Sequence, residues 1–162
     1  MSFNAFIGVD WSGARGPLLP GLQVAECLDG MAAPVVVANP AGGMWSRAAF
    51  ADWMGARLLD GRKYLIGFDF SFSFPFADLG AYFPGAGVSP RDMFALWRFV
   101  EERCEDMEEF YARDFVGHED TAPYFFRRGH RGTSYLPRLR RTDRRCADIG
   151  LGTPETVYKL IG

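Results

Sequence analysis

Two short stretches of this sequence repeat one order of hydrophobic, small and acidic positions. Residues 7–12 are Ile-Gly-Val-Asp-Trp-Ser, and residues 66–71 are Ile-Gly-Phe-Asp-Phe-Ser. Each copy closes a short hydrophobic run, which predicts buried strands over Ala5–Asp10 and Tyr64–Asp69. Because side chains alternate between the two faces of a strand, the glycine and the aspartate of each copy share one face. The glycine leaves open space there, beside the carboxylate.

The remaining hydrophobic runs and helical spacings predict three more strands and two helices. The strands are predicted over Leu22–Leu28, Pro34–Ala38 and Thr156–Ile161. The helices are predicted over Trp45–Leu59 and Ser89–Phe115. The second helix has the clearest start, because Ser89 is a suitable N-cap and Asp92 completes a Ser-x-x-Asp capping pattern. The second motif strand falls between the two helices.

Phenylalanine occupies every second position from Phe70 to Phe76, beginning inside the second motif. This pattern would extend the strand until Pro75 ends it. Two interpretations are open. The rings form a stripe packed in the core, or they form a wall beside the aspartates.

Charge is distributed unevenly along the chain. Residues 1–126 hold 9 Lys and Arg against 17 Asp and Glu, whereas residues 127–162 hold 9 against 3. Little periodicity is present in residues 117–152, which we expect to form an irregular basic insertion. Two interpretations of the basic segment 127–145 are open: it is a solvated loop or packs against the acidic part of its own chain, which is the favoured one, or it binds nucleic acid.

The composition is typical of a globular protein. The chain has 162 residues, of which 48% are hydrophobic and 23% charged, enough for one domain with a substantial core. No apolar run approaches the roughly 20 residues of a membrane span, and the N-terminus lacks a signal-peptide pattern. The 3 cysteines lie far apart, which favours free thiols in a reducing compartment and predicts a cytoplasmic location.

The predicted order of elements, with an aspartate ending the first and fourth strands, is that of the ribonuclease H-like fold. The chain resembles a bacterial family of predicted nucleases with this fold. The shared residues are Ile7–Gly13, Ile66–Asp69, Ser73–Pro75, Arg141–Asp143 and Thr156–Gly162. The resemblance implies an α/β domain over residues 1–162, with a mixed five-stranded sheet of order 3-2-1-4-5 flanked by helices. We expect this sequence to lack the C-terminal helical part of that fold.

The resemblance also implies metal-dependent hydrolysis of phosphodiester bonds. Asp10 and Asp69 would hold Mg²⁺ or Mn²⁺, since hard cations prefer carboxylate oxygens. Asp143 is the candidate for a third catalytic carboxylate. Substrate contacts are expected from two serines and three arginines: Ser12, Ser71, Arg127, Arg128 and Arg141. One departure is that the helix after the third strand carries no glutamate, and its Asp52 is expected to face solvent.

Two other functions are open. Actin-like phosphotransferases and sugar kinases use strand-end carboxylates with Mg²⁺-ATP, and the turn at residues 10–13 would cradle phosphate through its backbone N–H groups. Those proteins need a second domain, and no nucleotide-binding signature is visible in this sequence. The third reading is a non-catalytic ribonuclease H-like scaffold that binds a partner or ligand in an aromatic cleft.

Overall fold

The computed structural model describes residues 2–104, 111–151 and 156–160, which divide into two compact units. Among the described residues, the first unit comprises residues 2–70 with Tyr111, and the second comprises the rest. In the described residues, the first unit combines one helix with a small sheet, and the second combines several helices with another. The predicted α/β class is therefore confirmed.

The first unit is built on a four-stranded mixed sheet with one helix. Its elements are β1 (Ala5–Asp10), β2 (Gln23–Cys27), β3 (Val35–Val36), α1 (Arg47–Leu58) and β4 (Tyr64–Phe68). The strand order is β3-β2-β1-β4. β1 pairs antiparallel with β2 and parallel with β4. The predicted order of the first four strands and the parallel pairing of β1 with β4 are confirmed.

One face of this sheet forms the core of the first unit. Ile7 and Val9 of β1 are buried in one cluster with Phe50 and Trp53 of α1. The helix begins two residues later than predicted because Ser46 is its N-cap, accepting a hydrogen bond of 3.0 Å from the Ala49 N–H.

The described part of the second unit contains three α-helices, a short 3-10 helix (Ala122–Tyr124) and a three-stranded sheet around aromatic side chains. Its elements are α2 (Met93–Glu102), α3 (Arg113–Gly117), β5 (Phe126–Arg127), β6 (His130–Arg131), α4 (Arg141–Asp148) and β7 (Lys159–Leu160). The strand order is β6-β5-β7, with β5 antiparallel to β6 and parallel to β7. The buried cluster includes seven aromatic rings: Tyr82, Phe83, Phe99, Phe115, Tyr124, Phe125 and Tyr158.

The last predicted strand lies elsewhere than expected. Within residues 156–160 only Lys159–Leu160 is a strand, and it pairs with β5 rather than with β4. The reason is the burial of Tyr158, whose ring stacks on Phe74 at 4.9 Å and whose carbonyl accepts a bond from the Phe126 N–H. The five-stranded order 3-2-1-4-5 is therefore not found in the part of the chain that the structure describes.

The predicted helix from Ser89 to Phe115 is wrong at both ends. α2 begins at Met93, because Asp92 caps it and accepts a 2.8 Å bond from the Ala95 N–H. The Ser89 hydroxyl instead accepts a bond from Phe83 N–H. The helix ends at Glu102, where an acidic run opposes the helix dipole. The predicted segment 105–110 lies outside the described residues, and α3 is a separate short helix.

The aromatic alternation after the second motif does not extend the strand. β4 ends at Phe68. Phe70 packs against Phe68 and against Trp11, at 4.8 and 5.4 Å between ring centroids. Phe74 instead packs against the core of the second unit. The core interpretation therefore holds for Phe74, while Phe70 lies beside the turn that follows β1.

The basic insertion is less irregular than predicted, because β5, β6 and α4 all fall within it. One of its arginines serves the fold. Arg138 is 7% exposed and donates to Asp78 through Nε at 2.9 Å. It also donates to the carbonyls of Pro75 and Ala81, at 2.9 and 2.8 Å. Here the basic segment packs on an acidic residue of its own chain, as in the first of the two interpretations.

We expect Asp78→Asn to destabilise the chain by about 1–3 kcal/mol at pH 7, because a charge-assisted hydrogen bond is lost. The hydrogen bond from Arg138 holds the pKa of Asp78 below its ordinary value. Stabilisation is therefore present above the unfolded pKa and is lost as the pH falls through the folded one. Urea unfolding should show a difference from wild type that shrinks below about pH 4.

The matched control for this experiment is Asp148→Asn, an exposed aspartate of the same unit. It should change stability by less than about 0.5 kcal/mol at either pH. Equal effects of the two substitutions, or a difference that grows in acid, would contradict the proposed role of Asp78.

Candidate functional site

The two motif aspartates lie side by side at the carboxyl ends of β1 and β4. The parallel register pairs Ile7 with Ile66 and Gly8 with Gly67 and ends at Val9 and Phe68, so Asp10 and Asp69 are the next residues along the two segments. Pairing continues beyond β4, because the Asp69 N–H donates to the Val9 carbonyl at 3.3 Å. Neighbouring strands are about 4.8 Å apart, so the two residues emerge together at one sheet edge.

Asp69 is held in place by the backbone after β1. Its Oδ1 accepts a hydrogen bond of 2.7 Å from the Trp11 N–H. The Trp11 ring is itself anchored, with its centroid 5.5 Å from that of Phe50 in an edge-on contact. The carboxylate of Asp10 is exposed and makes no hydrogen bond or ion pair with the side chains and loops of the described residues. One carboxylate is thus positioned and the other is open to a ligand.

The glycines of the two motifs leave an open floor on this face of the sheet. Gly8 and Gly67 are paired in register and exposed, and a Cβ added at either would have no atom within 4 Å. A shallow depression of about 420 Å³ lies over them, with Phe6 and Leu65 in its lining. The predicted open space on the face of the aspartates is confirmed.

Gln23 is a candidate residue that sequence reasoning missed. It lies directly opposite Asp10 in the antiparallel register of β1 and β2, so the two side chains share a face. Its amide oxygen is of the kind that accompanies carboxylates around hard cations. Gln23 cannot be identified from the sequence alone, because its position opposite Asp10 depends on the register of β1 and β2.

Ser12 and the loop after it are held by local and buried contacts. The Ser12 hydroxyl accepts a 3.3 Å bond from the Ala14 N–H, which closes a small turn. Arg47, only 6% exposed at the start of α1, donates to the carbonyls of Ala14 and Gly16 at 2.7 and 3.5 Å. Ser12 therefore stabilises the turn that follows β1. Arg47, like Gln23, is a residue near the site that the sequence motifs do not indicate.

The other predicted site residues belong to the second unit. Ser71, Arg127 and Arg128 are all exposed, and Arg128 lies in the turn between β5 and β6 with φ of 48°. Arg141 begins α4. No contact in the structure assigns a ligand to any of these four side chains, and their role in binding substrate stays a prediction.

Asp143 is buried and bound within the first turn of α4. Its carboxylate accepts bonds from the Arg140 backbone N–H and Nε, at 2.8 and 2.9 Å. Burial opposes ionisation, but the Arg140 hydrogen bonds outweigh it and hold the pKa of Asp143 below its ordinary value. Among the described residues, no group of three or more His, Cys, Asp and Glu is arranged to hold a metal ion. A catalytic role for Asp143 stays a prediction.

Comparisons with protein-family models, with curated proteins and with solved structures find no match to this chain. The resemblance to predicted ribonuclease H-like nucleases rests on the sequence motifs and stays a prediction. In the part of the chain that the structure describes, no helix has both the length and the apolar character that crossing a membrane requires.

We expect Gly8→Ala to leave the free energy of unfolding unchanged or to raise it by up to about 1 kcal/mol, since alanine loses less backbone entropy than glycine. Urea unfolding followed by circular dichroism measures this change. Gly132→Ala is the control, because its added Cβ would overlap the Pro123 carbonyl. The control should be destabilised. Comparable destabilisation of Gly8→Ala would show that the floor is covered in solution.

Proposed function

We propose that this chain is the core of a metal-dependent nuclease, in which Asp10 and Asp69 bind Mg²⁺ or Mn²⁺ and phosphodiester bonds are hydrolysed. The observation that carries the proposal is the parallel register of β1 and β4, which puts both aspartates at one strand end. The motif resemblance to predicted ribonuclease H-like nucleases supports the choice of reaction.

The donor set fits a hard divalent cation. Two adjacent carboxylates repel one another unless a proton or a cation lies between them. Asp69 Oδ1 is engaged by the Trp11 N–H, so the hydrogen bond orients this carboxylate without neutralising it. Gln23 adds a neutral oxygen on the same face as Asp10. All three are oxygen ligands, which Mg²⁺ and Mn²⁺ prefer to nitrogen or sulfur.

Each residue has a separate task in the proposed reaction. A divalent ion at this site would supply Lewis-acid activation of a water and of the scissile phosphate. Asp10 and Asp69 hold the charge that binds it. The Trp11 N–H keeps Asp69 directed towards β1. The exposed glycines Gly8 and Gly67 keep the floor low enough for a bulky substrate to approach.

We expect Asp10→Asn to reduce metal-dependent cleavage of labelled DNA or RNA by about 100-fold or more, because one of the two charges that bind the cation is lost. The melting temperature should hardly change, since Asp10 is exposed and has no recorded polar partner among the described residues. EDTA should abolish wild-type cleavage.

Asp52→Asn, an exposed acidic residue on α1, is the matched control and should cleave like wild type. Full activity in Asp10→Asn would refute the assignment. A melting temperature raised by Mg²⁺-ATP without any cleavage of polynucleotide would favour the phosphotransferase alternative.

A second test concerns the metal alone. We expect Gln23→Glu to bind Mn²⁺ about tenfold more tightly than wild type, because a third negative charge joins the pair. Gln23→Ala should show no such gain. Isothermal titration calorimetry measures both constants without any substrate. If Gln23→Glu binds Mn²⁺ no better than Gln23→Ala, the shared face of Asp10 and Gln23 does not hold the ion.

A further inference from the structure

A depression of about 440 Å³ in the second unit has two chemically different walls. One wall is the segment with Phe74, Pro75 and Phe76, and the other is the start of α4 with Arg141 and Arg144. Ligand sites in proteins commonly have volumes of roughly 300–1,000 Å³. The depression is thus large enough for a small organic molecule or for one unit of a polymer.

The two walls are tied together by buried contacts, so the depression is preformed. Arg138, which precedes the arginine wall, donates to the Pro75 carbonyl at 2.9 Å and pairs with Asp78. The Arg140 side chain is held by hydrogen bonds from both Nε and Nη2 to the Asp143 carboxylate in the first turn of α4. Side chains fixed before binding lose little conformational entropy when a ligand arrives.

The charges lining this depression do not cancel. Asp78 is paired with Arg138, and Arg140 with Asp143. Arg141 and Arg144 make no ion pair with the described residues, and both are exposed. Their separation of three positions places them on the same side of α4. Two uncompensated guanidinium groups favour an anion, and their fork of N–H donors matches phosphate oxygens.

The opposite wall favours a planar apolar group. Pro75 is buried and the Phe74 ring is stacked on Tyr158 in the core, while Phe76 is partly exposed. The exposed part of the Phe76 ring offers an apolar surface against which a base can stack. An inorganic anion would use the arginines but leave the apolar wall without a partner. A ligand that combines a phosphate with a planar ring uses both walls.

We propose that this depression binds a nucleotide unit, with its phosphate on Arg141 and Arg144 and its base against the Phe74–Phe76 wall. A free mononucleotide and one residue of a single strand share this chemistry. The proposal uses residues of the second unit only. It therefore stands whether or not Asp10 and Asp69 bind a metal.

The test measures binding without turnover. Fluorescence anisotropy of a labelled short oligothymidylate, in EDTA and about 50 mM salt, gives the dissociation constant. Arg141→Gln and Arg144→Gln should each weaken binding about 5- to 10-fold. Each should also lower the slope of log K against log salt by about 0.7. The control is Arg145→Gln, which removes the same charge from the same helix but lies outside the lining of the depression.

Competition separates the possible ligands. Thymidine 5′-monophosphate should displace the probe at lower concentration than thymidine or inorganic phosphate does. If the oligonucleotide does not bind but thymidine 5′-monophosphate raises the melting temperature of wild type and not of Arg141→Gln, the ligand is a free nucleotide. Equal weakening by Arg145→Gln, equal competition by phosphate, or no binding of either probe would overturn the proposal. Because no metal is present, none of these outcomes depends on the nuclease proposal.

Discussion

The parallel pairing of β1 with β4 is the interaction on which the first unit and its candidate site depend. Its register buries Ile7 and Val9 against α1 and leaves Gly8 on the opposite face. A slip of one residue would turn the buried set towards solvent. The same slip would put Asp10 and Asp69 on opposite faces of the sheet, because consecutive side chains of a strand point to opposite faces. Folding energy and site geometry are therefore set by one register.

In the second unit a buried ion pair, between Arg138 and Asp78, stabilises the fold. Arg138 is buried, and its guanidinium satisfies several acceptors that would otherwise lose solvent without a partner, among them Asp78 and the Pro75 carbonyl. The arginine donates in a planar fork, which lysine cannot reproduce. Removing one partner of such an ion pair leaves a buried charge without compensation. The loss of stability is then large, although the net contribution of the intact pair to stability is modest.

Local patterns predicted the strands of the first unit well and the contacts of the second unit poorly. The motif copies gave β1 and β4 to within a residue, because hydrophobic alternation and a buried face determine such strands locally. Capping was ambiguous, since Ser89 and Asp92 are both good caps and only the bond to Phe83 decides between them. The fate of Arg138 depends on a partner 60 positions away, which no local pattern contains.

Electrostatic cost separates the nuclease reading from a purely structural one. Neighbouring aspartates at a strand end repel, and replacing Asp10 by asparagine would remove that repulsion at no loss of a recorded contact among the described residues. A scaffold gains nothing from keeping the charge, whereas a cation site requires it. Arg47 bears on the phosphotransferase alternative. It donates to the carbonyls of Ala14 and Gly16, so the loop after β1 is stabilised without a bound phosphate. The proposed cation site rests on this pair, because a bound ion would neutralise the two charges.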